Sequence, residues 1–403
     1  MIPFEREFPL AQARLRVENE LSRLGLSWRA EQHGATLNTT IVALDDPAHD
    51  TRCTGTGKGR RDFSLTGALF EACEHYLSLY HACSLDHALI PAAQVPTGMG
   101  APVDAFLAAQ PGEHLACRIY TGYLDGACKA YPLALSRPTY LDAPYGYDTF
   151  DYTGLARYAS NSGTAIGATF AEATLHALNE CIERDDVSRF LRRQFHDDAD
   201  LPLRVLDARG IGSVLRRDWI EAEAEIGASI TLLDISTHAA AHTYLAFGAG
   251  PGRPQHLYGA GTSGDAVHAA SRALAELVQL HAVADHVPGV RDDLAREERR
   301  LRPWNRLHRS CIADLPALCR RRRLGRVTLP RRARSLAVPR ELERSMTALA
   351  DEGYLPLIHV LYSRPETVTL CQVLVPGFDR YYLVSRGGIV VPGFERGAPH
   401  GHA

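Results

Sequence analysis

The sequence predicts an α+β domain, a mixed α/β fold in which long helices alternate with short strands. Apolar residues recur at helical spacing in five segments, and short runs rich in β-branched and aromatic residues lie between and after those segments. Interleaving of these two patterns is typical of a mixed domain. With 403 residues, 45% of them hydrophobic, the chain can build one large core.

The first predicted helix has an apolar stripe formed by Leu15, Leu21 and Leu24, and a polar stretch at 45–59 leads into the second helix. The predicted helices cover about 10–25, 66–80, 170–190, 266–284 and 340–351. The predicted strands cover about 229–235, 243–247, 256–259, 355–362, 368–375 and 381–391.

Composition and charge exclude several classes of protein. The net charge of −3 gives no overall field for nucleic acid or a membrane, and no apolar run approaches the ~18 residues that span a bilayer. The N-terminal residues carry charges throughout and lack the apolar core of a signal peptide, so we expect a cytoplasmic location. The nine cysteines include no CxxC pair, so we expect free thiols and no zinc site.

Basic residues are distributed unevenly. Residues 286–338 are rich in arginine and include the run 320–323, which predicts a surface excursion. Such a charge run forms either a solvated face or a docking surface for an acidic peptide or partner protein. Lys58 is one of only two lysines, and it therefore draws attention, because an ammonium is more compact than a guanidinium.

Three predicted helices share one local pattern. Residues 68–74, 177–183 and 273–279 each read A-L-x-E-x-x-[E/Q]. The spacing of about 100 residues is too long for a solenoid, so the pattern indicates either recurring units that meet at one site or chance, because Ala, Leu and Glu are common in helices.

The polar residues of these helices form narrow stripes on otherwise apolar helices. They are Glu71, Glu74, His75 and Ser78 in the first, Glu172, His176, Asn179, Glu180 and Glu183 in the second, and Arg272, Glu276 and Gln279 in the third. The stripes either face water or lie inside, where carboxylates need a metal or a paired cation. Oxygen-only ligands favour Mg²⁺, which often bridges to substrate phosphates, and Arg184, Arg272 and Lys58 would suit those phosphates.

The known phosphate-binding loops do not explain such a site. The segment 55–60, G-T-G-K-G-R, lacks both the first glycine of a Walker motif and the hydroxyl residue after the lysine. A GxGxxG motif after a strand is also not evident, so a nucleotide would be held without either loop.

Taken together, these motifs resemble the YcaO family in order and spacing over residues 55–380. The matching residues are Gly57-Lys58-Gly59, Ser160-Asn161-Ser-Gly, Glu172-Ala, Glu180-x-x-Glu183-Arg184-Asp185, Arg272-x-x-x-Glu276-x-x-Gln279 and Val375-Pro376-Gly377-Phe378.

The resemblance implies glutamate-bearing helices packed on β-sheets, with ATP and Mg²⁺ between them. It also implies chemistry in which ATP phosphorylates the oxygen of a peptide amide, giving azolines, backbone thioamides or macroamidines. Carried over by position, the expected metal ligands are Glu71, Glu74, Glu180 and Glu183. The remaining residues expected at the nucleotide are Lys58, Glu172, Arg184, Arg272 and Glu276, while no catalytic residue is assigned.

Three positions depart from the family pattern. Gly67 and Ala168 replace a serine and an asparagine that are common there, and the C-terminus lacks the PxPxP tail of many azoline-forming members. These departures leave three alternatives: cyclodehydration of Cys, Ser or Thr to azolines as the first, thioamide formation with an accessory protein, and a nucleotide-binding subunit without chemistry of its own.

The resemblance also implies a domain organisation and partners. We expect an N-terminal helical and strand segment at 1–54 and a YcaO catalytic domain at 55–403 that carries the basic excursion. Because the chain is short for a fused substrate-binding domain, we expect a precursor peptide and a separate leader-binding, E1-like partner protein. A flavin dehydrogenase in the same complex and a homodimer are further expectations, whereas nucleic acid and membranes are not expected partners.

Overall fold

A computed structural model of the chain describes residues 2–81, 87–95, 98, 100–249, 257–330 and 336–393. Helices and strands alternate along the described chain, which confirms the predicted α+β class. The helices are α1 (Leu10–Arg23), α2 (Arg61–Tyr76), α3 (Ala101–Ala108), α4 (Leu133–Ser136), α5 (Phe170–Leu191), α6 (Ser213–Ile226), α7 (Ala266–His286), α8 (Val290–Leu301), α9 (Asn305–Ile312), α10 (Leu315–Arg321) and α11 (Val338–Asp351).

The strands of the described residues form three sheets. Their bounds are β1 (Ser27–His33), β2 (Asn38–Asp46), β3 (Thr51–Gly59), β4 (Ala88–Pro91), β5 (His114–Gly122), β6 (Cys128–Pro132), β7 (Thr164–Gly167), β8 (Leu203–Leu206), β9 (Ser229–Asp234), β10 (His242–Ala249), β11 (Tyr258–Ser263), β12 (Leu324–Val327), β13 (Leu357–Ser363) and β14 (Thr369–Leu374). The sheet orders are β1-β2-β3, β11-β10-β9-β8-β12 and β4-β5-β13-β14-β7, with β6 also paired to β5.

Three strand–helix units organise the molecule: β3–α2, β7–α5 and β11–α7. In each unit the strand leads directly into a long helix that packs back on it, and each unit belongs to a different sheet. The units also contact one another in a closed cycle, because α2 packs on β7, α5 on β11 and α7 on β3. This cycle brings one face of each helix toward a common centre.

Glycines let each helix lie close to its own strand. A Cβ on Gly57 of β3 would lie 1.8 Å from the Ser64 carbonyl oxygen of α2, and one on Gly261 of β11 would lie 2.3 Å from the Ala269 carbonyl oxygen of α7. A Cβ on Gly167 of β7 would likewise lie 2.5 Å from the backbone nitrogen of Ala173 in α5. Larger residues would push the helices outward, so these glycines set how closely the units approach.

A buried polar network ties the middle of α5 to α11. His238 is 6% exposed and bonds the Asp185 carboxylate at 2.7 Å and the Glu352 carboxylate at 2.6 Å. Asp185 also accepts hydrogen bonds from Arg189 and from the backbone N–H of Asp379. Burial alone would lower the pKa of His238, but bonds and charges from Asp185, Asp186 and Glu352 outweigh it and raise the pKa to about 9.

Three predictions about local structure are wrong. Leu15 is 56% exposed, so the apolar stripe of α1 runs through Val17 and Leu21 instead. Residues 45–59, predicted as a polar stretch, contain the end of β2 and all of β3, because the polar side chains of β3 alternate with Cys53, Gly55 and Gly57, which are buried. The predicted strand at 381–391 is a 3₁₀ helix, Tyr381–Arg386, that ends at Gly387 in a left-handed conformation with φ of 73°.

The basic segment, residues 286–338, combines buried leucines with exposed arginines. Leu301, Leu315 and Leu318 are buried in the main core, whereas most of its arginines are exposed, and β12 pairs in parallel with β8. The division at residue 54 stays a prediction, and β3 runs across it. Within the described ranges, no helix is both long and apolar enough to span a bilayer.

Replacement of Gly57 by alanine should destabilise the protein by about 3 kcal/mol, because the added Cβ collides with the backbone of α2. Gly67 is the matched control, since a Cβ there would have only Gly57 Cα within contact range, at 3.8 Å. Gly67→Ala should instead stabilise helix α2 by up to about 1 kcal/mol. Urea unfolding of both variants measures the two effects, and equal stabilities would contradict the close-packing argument.

The raised pKa of His238 predicts a pH-dependent stability. Its contribution is complete below an unfolded pKa of about 6.5 and is lost as pH rises through about 9, so the free energy of unfolding should fall by about 3 kcal/mol in that interval. His238→Gln should remove most of this fall. His242→Gln should keep it, because burial lowers the pKa of His242. Denaturant titrations between pH 6 and pH 9.5 would test the contrast.

Candidate functional site

The acidic residues predicted from the stripes lie on the three helices that the cycle brings together. Glu71 and Glu74 are on α2, Glu180 and Glu183 are on α5, and Glu276 is on α7. Two N-terminal caps fix where two of these helices begin, because Thr169 caps α5 and Asp265 caps α7 through side-chain oxygens. The caps thereby fix which turn of each helix presents its acid.

One ion pair links the first and third units. The Lys58 ammonium at the end of β3 donates a hydrogen bond to the Glu276 carboxylate of α7, and both side chains are about three-quarters buried. Burial opposes ionisation of Glu276, but the charges of Lys58, Arg184 and Arg272 outweigh it and lower its pKa. Glu276 is therefore the acid most firmly held as a carboxylate.

Glu183 on α5 lies near the same charged residues as Glu276, but its pKa is raised instead of lowered. Burial and the neighbouring charge of Glu276 raise its pKa to about 7, against the attraction of Arg184. Its carboxylate is 3.4 Å from one terminal nitrogen of Arg184, and the Glu180 carboxylate is 3.6 Å from the other. Arg184 thus lies between the two acids predicted as the second pair of metal ligands.

The acids of α2 are also destabilised in their charged form. Burial raises the pKa of Glu71, whose carboxylate accepts a hydrogen bond from the Thr56 hydroxyl at 3.1 Å. Burial and the charges of Glu180 and Glu71 raise the pKa of Glu74 well above its usual range, and its one partner is the Ile166 backbone N–H at 3.0 Å. Because the charge of Glu180 on α5 acts on Glu74 of α2, these two acids lie near each other.

Glu172 occupies a different position from the other predicted residues. It lies in the first turn of α5, two turns before Glu180, and is 3% exposed. Its carboxylate accepts hydrogen bonds from the backbone N–H groups of Glu7 at 2.5 Å and Ala168 at 3.1 Å. The structure therefore shows Glu172 anchoring the N-terminal segment, and its contact with a nucleotide stays a prediction.

Two arginines at the centre have unused donors. The buried Nε of Arg184 and that of Arg272 have no hydrogen-bond partner among the described residues, whereas the terminal nitrogens of Arg184 form ion pairs with Glu180 and Glu183. Within that same part of the chain, no three His, Cys, Asp or Glu side chains already stand together as a metal-binding group. The donor chemistry fits a bound phosphate, and the oxygen-only acids fit Mg²⁺, which needs few protein ligands beside phosphate oxygens and water.

Sequence reasoning assigned no role to several residues beside this centre. Asn179 is 2% exposed with its Oδ1 unpartnered, while its Nδ2 donates to Glu5 at 3.3 Å. Glu5 also accepts a hydrogen bond from Ser263 at 2.6 Å and has a positive φ of 55°. The stripe on α5 included Asn179 and could have indicated it, whereas the threading of Glu5 between α5 and α7 leaves no local sequence signal.

Comparison with known proteins gives one family and a set of similar folds. The family model that matches is that of the YcaO cyclodehydratases, described as ATP- and Mg²⁺-binding, over residues 56–379. This match confirms the recognised family and the predicted cofactors, ATP and Mg²⁺. An uncharacterised protein in the tfuA 3′ region of Rhizobium leguminosarum bv. trifolii is 28% identical over 231 residues, which are 55% of this chain and 52% of the relative. The match thus spans about half of that protein.

Solved structures share the fold at low identity. The YcaO protein of Methanopyrus kandleri, bound with AMPPCP and Mg²⁺, has a TM-score of 0.70 at 17% identity and covers 100% of this chain and 99% of its own. A heterocyclase in complex with substrate and cofactor has a TM-score of 0.66 at 15% identity, with coverages of 93% and 53%. The Escherichia coli microcin synthetase McbBCD complex with pro-MccB17 bound has a TM-score of 0.59 at 12% identity, with 88% of each chain covered.

Substitution of Glu74 by glutamine should separate stability from ligand binding. Glutamine cannot carry the charge that burial and the neighbouring Glu180 and Glu71 oppose, and its amide oxygen still accepts the Ile166 N–H, so the variant should be at least as stable as wild type. The same change should weaken Mg²⁺-dependent ATP binding about tenfold or more. Glu18→Gln on the surface of α1 is the control for both measurements. Unfolding curves and calorimetric titration test the pair, and loss of stability with unchanged ATP binding would contradict it.

Proposed function

Because the chain belongs to the YcaO family, we propose that it uses ATP and Mg²⁺ to activate backbone amides of a peptide. The proposed reaction is cyclodehydration of Cys, Ser or Thr residues to azolines in a ribosomally made precursor. The observation that carries this proposal is the convergence of acids from three helices beside two arginines whose buried Nε donors have no partner among the described residues.

The proposed roles follow from charge and donor type. Mg²⁺, held by the acids, supplies neutralisation of triphosphate charge and orientation of the transferred group. The proposed ligands are Glu71, Glu74, Glu180 and Glu183, with Glu276 beside them. Arg184 and Arg272 would donate to phosphate oxygens, and Lys58 would hold α7 in place through Glu276 while adding positive charge. The raised pKa values of Glu74 and Glu183 support these roles, because a cation would relieve the repulsion that raises them.

The proposed conversion balances in atoms and charge. The substrate thiol or hydroxyl attacks the preceding carbonyl carbon, its proton passes to solvent, and the carbonyl π pair moves onto oxygen. That oxygen bonds to the γ-phosphorus of ATP as the bond from this phosphorus to the ADP oxygen breaks. The carbon–oxygen bond then breaks, phosphate leaves with the former amide oxygen, and loss of the amide proton leaves the C=N bond of the azoline. The net products are azoline peptide, ADP and phosphate.

Comparisons support the proposed partners. Two of the similar solved structures are complexes, one with substrate and one with the named subunits and pro-peptide of microcin synthetase. The Rhizobium relative is named for its position beside a second gene, tfuA. We therefore propose that this chain works with a precursor peptide and a separate leader-binding protein. Participation of a flavin dehydrogenase and homodimer formation stay predictions.

Thioamide formation is the second candidate. It would use the same nucleotide site with an external sulfur donor instead of the substrate side chain. It is a candidate because the nucleotide-site residues within the matched YcaO family region would serve either reaction. Residues 394–403, which include Pro399, His400 and His402, lie outside the described residues. The last described residue, Gly393, donates its N–H to the Asp379 carboxylate at 3.0 Å.

The decisive experiment combines the purified chain with MgATP, the precursor peptide encoded beside its gene and the neighbouring partner protein. Cyclodehydration predicts release of phosphate and a mass loss of one water per ring. Thioamide formation predicts a mass gain from replacing oxygen by sulfur, and it requires a sulfide source. ATP binding without phosphate release in the complete mixture would identify a non-catalytic subunit and contradict the enzyme proposal.

Glu183→Ala should reduce product formation about 100-fold or more, because it removes a carboxylate from the centre between Arg184 and Glu276. Glu343 is a suitable control, since its side chain is 56% exposed on α11 and forms an ion pair with Arg340 at the surface. Glu343→Ala should keep full activity. Unchanged turnover of Glu183→Ala at saturating Mg²⁺ would rule out the assigned role.

A further inference from the structure

A second polar cavity lies directly beside Arg184. It encloses about 480 Å³ of space that opens to solvent, and its lining includes residues of two family motifs that have no role in the site described above. Ser160 and Ser162 come from the Ser160-Asn161-Ser-Gly motif, and Val375 and Phe378 come from the Val375-Pro376-Gly377-Phe378 motif. Two motifs distant in sequence therefore meet around one space that adjoins the nucleotide site.

Three hydroxyl groups form a cluster in this cavity. The Tyr382 hydroxyl lies 2.5 Å from the Ser160 hydroxyl and 2.8 Å from the Ser162 hydroxyl, and Ser160 Oγ accepts the backbone N–H of Ser162 at 3.0 Å. Three hydroxyl protons share two hydrogen bonds, so one proton has no acceptor among the described residues. When both serines donate to the Tyr382 oxygen, the phenol proton is left for a ligand, and a phenol is a stronger donor than a serine hydroxyl.

The backbone fixes Tyr382 against helix α5. Its N–H donates to the Ser188 hydroxyl at 2.8 Å, and that hydroxyl lies 2.7 Å from the Arg184 carbonyl oxygen. The guanidinium carbon of Arg184 lies 5.5 Å from the centroid of the Tyr382 ring. Arg184 therefore borders the carboxylates of Glu180 and Glu183 on one side and the hydroxyl cluster on the other.

The other polar groups of the cavity already have internal partners. Arg380 donates to the carbonyl oxygens of Leu135 and Tyr158 and to the Tyr131 hydroxyl. Asp379 accepts the backbone N–H groups of Tyr381 and Gly393. The unpartnered donors beside this cavity include the Arg184 Nε and one hydroxyl of the cluster, which suits an acceptor that gains negative charge.

We propose that this cavity receives the scissile amide of the substrate peptide, with its carbonyl oxygen between Arg184 and the Tyr382 hydroxyl. This proposal rests on the proposed function and assigns Tyr382 as a catalytic residue. As the substrate nucleophile adds to the carbonyl carbon, charge grows on this oxygen, and the two donors stabilise it next to the γ-phosphate. The apolar walls at Val375 and Phe378 accept the peptide chain on either side of the amide.

The test compares Tyr382→Phe with Tyr381→Phe. The first variant keeps the ring beneath Arg184 and removes only the hydroxyl. The second removes the hydroxyl of the preceding residue. That hydroxyl does not line the cavity and forms a 2.8 Å hydrogen bond with the Ser310 hydroxyl. In assays with the precursor peptide, its partner and MgATP, Tyr382→Phe should lower kcat for product about 100-fold and leave ATP affinity within about twofold of wild type. Tyr381→Phe should retain wild-type kcat.

Ser162→Ala serves as a second, milder variant. Ser160 and Tyr382 then share one hydrogen bond between two hydroxyl protons, so a donor remains and the fall in kcat should be smaller than for Tyr382→Phe. Near-wild-type kcat of Tyr382→Phe, an equal loss in Tyr381→Phe, or a parallel loss of ATP affinity would each overturn the proposal. Absence of peptide-dependent phosphate release by wild-type protein would overturn the proposed function and this inference with it.

Discussion

Repulsion among partly buried carboxylates is the constraint on which the rest of this structure depends. Burial and then the charges of neighbouring acids on α2, α5 and α7 raise the pKa values of Glu74 and Glu183. A protein retains such groups against their desolvation cost only where something else compensates. Among the described residues, an ion pair between Lys58 and Glu276 and charge contacts of Arg184 compensate in part, but the pKa values of Glu74 and Glu183 stay raised. The fold therefore holds these helices together mainly through packing elsewhere.

That packing comes from a strand–helix unit that occurs three times in the fold. A strand with glycine at the contact leads into a long helix that lies back on it, and each helix then covers a strand of the next unit. Because the cycle closes, moving one helix outward would loosen two interfaces. The acids can thus be held close without direct attractive contacts between them, since the positions of the helices are set on their opposite faces by the sheets.

Sequence patterns predicted the acidic residues of this centre better than they predicted the strand and the N-terminal segment that pack around it. The repeated A-L-x-E-x-x-[E/Q] pattern placed Glu71, Glu180 and Glu276 correctly on helices, because a narrow polar stripe on an apolar helix is a local signal. Strand β3 escaped detection because its inward positions are mostly glycines, which carry no hydrophobic signal. The contacts of Glu172 and Glu5 were equally hidden, since both depend on an N-terminal segment distant in sequence from α5.

The choice of lysine at position 58 follows from the same geometry. In a chain whose other basic residues are almost all arginine, this site between β3 and α7 holds a lysine. Its side chain follows Gly57, at the point where the strand lies closest to its helix. A planar guanidinium would need room for five donors in a fixed plane, whereas an ammonium satisfies one carboxylate and keeps two donors free to turn. The positive charge of Lys58 also acts on Glu183, as do the charges of Arg184 and Arg272. Lys58 therefore joins two units of the cycle, and the planar donors of the centre come from arginines.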